Sequence, residues 1–235
     1  MKALLFGSAS LIALALGARA VLRGKAAGKP PPPHPSEQSS RTLTRRYLQY
    51  FLVPLWLAAG IADWTRHRAT HIETTTGAKE TLIHLLMLAE MGVPVLAGLL
   101  LEINAPVLAL MYAAFFVHEG TALWDVEYAV TRREVTPVEQ HIHSFLEMLP
   151  LMAAGTISVL HWPALKALLG LARDPEPEIR RKREPLPLRY VGATLGAIVL
   201  LEILPYLEEL WRDWQANPGR LVPPEQERLA AIGPG

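Results

Sequence analysis

The sequence predicts an all-α, polytopic transmembrane helical bundle, and three observations predict it. The 235 residues are 51% hydrophobic with a mean hydropathy of +0.21. Only 19% are charged, where a soluble domain carries about a quarter. The apolar residues are gathered into five runs, 47–62, 81–101, 106–123, 138–160 and 190–207. Most approach the ~20 residues a helix needs to cross ~30 Å of hydrocarbon. Lys plus Arg (23) nearly cancel Asp plus Glu (22), so the net charge of +1 gives nucleic acid no electrostatic footprint as a partner. The absence of cysteine excludes disulfides, thiolate catalysis, iron-sulfur clusters and Cys-type zinc sites. Any metal is left to His, Asp and Glu.

Taken in order, residues 1–22 carry Lys2, an apolar run and a small-residue ending at Ala18-Arg19-Ala20, the pattern of a signal peptide or an N-terminal transmembrane helix. The basic flank Arg19, Arg23, Lys25 and Lys29 favours retention. Residues 23–40, with Pro30 to Pro33 and Pro35, read as an extended linker. The bundle itself spans 41–214. A turn of a few residues, Glu102 to Ala105, joins the second and third runs as antiparallel neighbours, with Asn104 as N-cap and Pro106 in the first helical turn. Thr136, Pro137 and Glu139 form a capping box at the start of the fourth run, which gives Glu139 a capping role. The loop 173–189 holds the basic cluster Arg180, Arg181, Lys182 and Arg183, and residues 215–235 read as a flexible tail.

Alternating the direction of the five runs brings six of the eight histidines to one side of the bilayer. Residues four apart on a helix differ by about 40° and seven apart by about 20°. Asp63, His67 and His71 therefore share a stripe, as do Glu80 with His84, His118 with Asp125, and His143 with Glu147. His141 points away from His143, and His143 is preferred because Glu147 backs it. Titratable side chains in the apolar layer cost several kcal/mol unless paired, hydrated or metal-bound. The expected metal ligands are His67, His71, Glu80, His84, His118, Asp125, His143 and Glu147. Asp63, His141, Glu90 and Glu202 are expected as supporting or proton-relay groups, and His34 and His161 as bystanders.

This pattern resembles the histidine-box membrane di-iron proteins, the fatty-acid desaturase and hydroxylase superfamily. The resemblance covers Asp63 to Glu147, about a third of the chain, and rests on His67-x-x-x-His71 and the later His84, His118 and His141-Ile142-His143. The H-x-x-H-H boxes are absent, and carboxylates stand where histidines would. In ligand types alone the set is also similar to that of hemerythrin. The resemblance implies two iron ions, an apolar small molecule or membrane lipid as substrate, and an electron donor. Zinc, manganese or haem b are alternative cofactors, with the corresponding readings of a zinc hydrolase on lipid, a haem b protein through His84 and His118, or an ion or proton carrier through Glu90 and Glu202. The expected location is a bacterial-type inner (plasma) membrane, and counting Lys and Arg on each side of the spans puts the metal site on its extracytoplasmic face.

Overall fold

The computed structural model describes residues 35–224. The N-terminal segment 1–22, His34, most of the expected linker and the end of the tail lie outside the described residues. The chain there is all-helical, without a named strand. Its elements are α1 (Pro35–Tyr47), α2 (Val53–Thr70), α3 (Ala78–Leu100), α4 (Ala105–Val130), α5 (Pro137–Leu160), α6 (Trp162–Leu168), α7 (Leu188–Ile198) and α8 (Leu204–Ala216).

Helix α1 begins inside the expected linker. Pro35 opens it, since a proline's fixed φ suits a first helical turn, and Glu37 at its start with Arg45 and Arg46 at its end complement the helix dipole. A π turn, Leu48–Leu52, carries α1 directly into α2, and a second one, Val199–Ile203, carries α7 into α8. Each π turn precedes a proline, Pro54 or Pro205. Proline offers no N–H to the carbonyl four residues back and crowds it, and those carbonyls, of Tyr50 and Leu201, lie inside the widened turns.

Four of the described helices are long and apolar enough to cross a membrane: α3, α4, α5 and the continuous helix Leu188–Ala216. The run expected as the first span does not join them. Its helix α2 carries Asp63, Arg66 and Arg68 within 18 residues, and α1 ahead of it is polar.

The two ends of the bundle are built differently. At one end Ala97, Val107, Leu108 and Met111 form an apolar cluster. Asn104 caps α4 as its spacing predicts, accepting the Val107 N–H at 3.1 Å. Its amide also donates to the carbonyls of Glu176 and Glu178, both at 2.8 Å, so the basic loop is clasped onto the α3–α4 turn. The clasp continues where Glu102 N–H donates to the Arg180 carbonyl and Lys182 N–H to that of Leu100. At the other end, residues 71–80 and 217–223 close over a polar interior. Lys79 N–H donates to the Leu221 carbonyl, Asn217 to that of Glu73, and Tyr128 to that of Thr76. The first part of the expected tail is thus docked against the bundle.

Candidate metal centre

The polar interior is assembled from every long helix. Helix α2 supplies Asp63 and His67, one turn apart; α3 supplies Glu80, Thr81 and His84; α4 supplies His118 and Asp125; α5 supplies Glu139 and His143. The last helix adds Glu202 from its π turn and Tyr206, Glu209 and Asp213 from α8. Asp63, His67, Glu80, Glu139, Glu209 and Asp213 are each no more than 1% exposed.

Each of three imidazoles is held by a carboxylate. His67 Nδ1 lies 3.2 Å from Glu209 Oε2, His84 Nε2 lies 3.2 Å from Asp125 Oδ2, and His143 Nε2 lies 2.9 Å from Asp63 Oδ1. Tyr206 donates its hydroxyl to the other oxygen of Asp63 at 3.1 Å. Thr81 sits between Glu209 (2.9 Å) and Asp213 (2.6 Å). The rings of His67 and His84 stack, centroids 4.6 Å apart.

These groups define three sets whose donor atoms lie within 4.8 Å of one another: Asp63, His67 and His84; His67, Glu139 and His143; Glu80, His84 and Asp125. The second and third share no residue, so two ions can be held at once, side by side across the stacked rings. Asp63 and Glu209 then lie between them, Glu209 Oε1 standing 3.9 Å from His84 Nδ1. The donor set fits such ions. His67 Nε2 faces Asp63 (3.5 Å) and Glu139 (3.7 Å) without a hydrogen bond, and Asp125 Oδ1 and Glu139 Oε2 are likewise buried and unpartnered. Buried polar atoms left in this state cost about 1–3 kcal/mol each, more when charged.

Charge makes the same case. Five carboxylates come close to the three imidazoles: Asp63, Glu80, Asp125, Glu139 and Glu209. Two guanidiniums answer them, and one of these, Arg212, lies 3.8 Å from Glu209 Oε2. Arg133, in the loop between α4 and α5, donates from a single terminal nitrogen to Glu80 and to Glu139, both at 2.5 Å, and so ties one carboxylate of each non-overlapping set to the other. Burial works against the charge of Arg133, but its bonds to Glu80 and Glu139 outweigh this and hold its pKa above the ordinary guanidinium range. The carboxylates still outnumber the guanidiniums, an excess that bound cations would balance.

Of the ligands expected from sequence, the structure brings together His67, Glu80, His84, Asp125 and His143, with Asp63 among them. The others fall elsewhere. His71 is the C-cap of α2, where the chain turns left-handed (φ 53°), and its exposed ring bonds to Glu73 at 3.0 Å. His141 is exposed and packs edge-on against Phe145. His118 and Glu147 belong to none of the three sets but line a cavity beside them. Glu90 accepts from Thr121 at 2.8 Å and lies 3.8 Å from His118 Nδ1, and Glu202 rests against Gly60.

Two central residues escaped the sequence reading. Glu139 has its backbone N–H capped by Thr136 at 3.3 Å, but its side chain turns inward to Arg133 and His67, so the capping box is only half used. Its four-residue spacing from His143 was the available signal. Glu209 lies beyond residue 207, where the apolar run ended, yet Glu202, Tyr206, Glu209 and Asp213 repeat at helical spacing. Comparison with protein-family models, curated proteins and solved structures finds no match.

Proposed function

We propose that the protein is an integral membrane metalloprotein in which His67, Glu139 and His143 hold one divalent ion and Glu80, His84 and Asp125 a second, with iron in both places. The carrying observation is the pair of non-overlapping sets joined by stacked imidazoles and by Arg133. The first set, two histidines with one carboxylate, is the donor set of non-haem iron that keeps open positions; the second has one histidine and two carboxylates, and nitrogen and oxygen donors without sulfur suit iron, manganese or zinc. A pair of irons bound here would supply oxidation of an apolar or lipid substrate by dioxygen, with electrons from an external donor.

The chain's own residues do the rest. Glu209 faces Nδ1 of both His67 (3.2 Å) and His84 (3.9 Å), so it keeps hydrogen on that nitrogen and leaves Nε2 of each ring for an ion. Tyr206 holds Asp63, which in turn holds His143. The apolar wall of the adjoining cavity, with Trp56, Met87, Leu88 and Met91, keeps water from the centre.

A zinc hydrolase uses the same two-histidine, one-carboxylate chemistry at a single ion, but leaves the second set without a role. A cavity of about 70 Å³ has no room for a porphyrin. The test is oxygen uptake by iron-loaded protein in nanodiscs supplied with a reductant and a total membrane-lipid extract. Uptake that depends on lipid, and that is lost in His143→Ala, is expected. Iron-loaded wild type with no lipid-dependent uptake, or full activity with zinc alone, contradicts the oxidoreductase reading.

A further inference from the structure

We propose that the cavity beside the two sets receives the protonated amine head group of a long-chain amphiphile. This names the substrate class of the same centre and rests on the reading that the centre is reactive. Asp63, His84, Asp125 and His143 form one part of the cavity lining, so a molecule seated there meets the centre directly.

Three further polar groups line it and take no part in the sets: His118, Glu147 and Glu202. Glu202 is 3% exposed, and its Oε1 has no hydrogen-bond partner. Its carboxylate reaches this position only because residue 60 is glycine, where any Cβ would strike the Glu202 carboxylate. His118, 7% exposed, makes no hydrogen bond through Nδ1, which lies 3.8 Å from Glu90 Oε2. Arg133 and Arg212 reach the carboxylates of the centre, but no Lys or Arg is among the residues that line the cavity with Glu202 and Glu147.

A buried carboxylate without a partner is costly, and a cationic ligand removes that cost. A fatty-acid carboxylate or a phosphate would instead meet like charge with no Lys or Arg to receive it. The size agrees, since a cavity of about 70 Å³ holds a few non-hydrogen atoms, an amine and its first methylenes, and not a phosphocholine. Trp56, Met87, Leu88 and Met91 supply the apolar contact for those methylenes.

Trp56 makes the test direct. Full-length protein in phosphatidylcholine nanodiscs is titrated with dodecylamine, dodecanoic acid and dodecanol, each brominated near the head group, and quenching of tryptophan fluorescence is read against Trp56→Phe as the blank. The amine is expected to quench Trp56 at concentrations at least about tenfold below the acid or the alcohol. Glu202→Gln and, should that variant fold poorly, the half-buried Glu147→Gln are expected to weaken the amine about tenfold and leave the acid unchanged or improved. Equal binding of the alcohol, tighter binding of the acid, or an amine affinity indifferent to both variants overturns the proposal. Metal content measured on the same samples separates the two readings: metal present with no amine preference removes the amine alone, and amine binding without metal removes the centre alone.

Discussion

At the scale of single residues, the centre depends on which carboxylates touch the imidazoles and which only share a helix stripe with them. Glu139 and Glu147 stand one turn to either side of His143, but only Glu139 reaches His67 and Arg133. Glu139→Gln is therefore expected to lower bound metal to one ion per chain or none, whereas Glu147→Gln keeps both; elemental analysis of the two purified variants checks this. Equal metal in the two would detach Glu139 from the centre. Arg133 makes a different prediction because its side chain is 4% exposed and faces Glu80 and Glu139 together. Removing one partner of a buried charge pair costs about 3–5 kcal/mol, and metal supplies the missing positive charge when present. Arg133→Gln is expected to lower the melting temperature of chelator-treated protein far more than that of metal-loaded protein. A loss of the same size in both states would mean that Arg133 is only a structural tie.

At the scale of elements, the interior depends on features that hydropathy alone does not announce. Asn104 and the turn it caps were legible, because a capping side chain and a proline in the first turn leave a local signature. The π turns were not, and they decide where Glu202 sits, since an extra residue in a turn rotates everything beyond it by more than a quarter of the helix circumference. The docking of the basic loop was equally hidden, because it depends on carbonyls of Glu176 and Glu178 meeting a side chain more than seventy positions earlier. At that end His161, between α5 and α6, has a pH consequence. Burial first, then the positive charges of Lys182, Arg45 and Arg41, against the opposing Glu102, push its pKa from 6.5 down to about 4. The folded chain thus keeps this imidazole neutral while the unfolded chain takes up a proton. Its contribution to stability is present above pH 6.5, is lost as pH falls from 6.5 to about 4, and is gone below. Melting temperatures of wild type and His161→Gln measured across that range are expected to converge as the pH falls; a constant gap would show that His161 does not titrate there.

At the scale of the whole molecule, the fold separates a basic end from an acidic interior. Arg41, Arg45, Lys182 and the rest of the basic loop gather at the apolar end, and by the positive-inside rule we propose that this end faces the cytoplasm and the centre faces away from it. The chain has no cysteine, so Arg181→Cys introduces a unique thiol; it is expected to resist an impermeant maleimide in intact spheroplasts, and labelling there would reverse the orientation. Helical spacing along α2, α3 and α5 made His67, Glu80, His84 and His143 legible, because each pairs with another polar group one turn away. It also promoted His71, since periodicity continues on paper past the left-handed residue at which the helix stops. Arg133 was out of reach because its partners lie on other elements, and contacts between elements leave no period in the sequence; Glu209 had a helical period but lay past the end of the apolar run. The central claim is that two separate sets of ligands act together as a two-ion centre. It is tested most directly by counting metal atoms per chain in full-length protein purified in detergent without chelator, by elemental mass spectrometry against quantitative amino-acid analysis. The account predicts two ions per chain, iron in both places, and loss of both in the double variant His67→Ala, His84→Ala. A wild type that holds no metal after reconstitution with ferrous iron, or a single ion unaffected by that double variant, contradicts it.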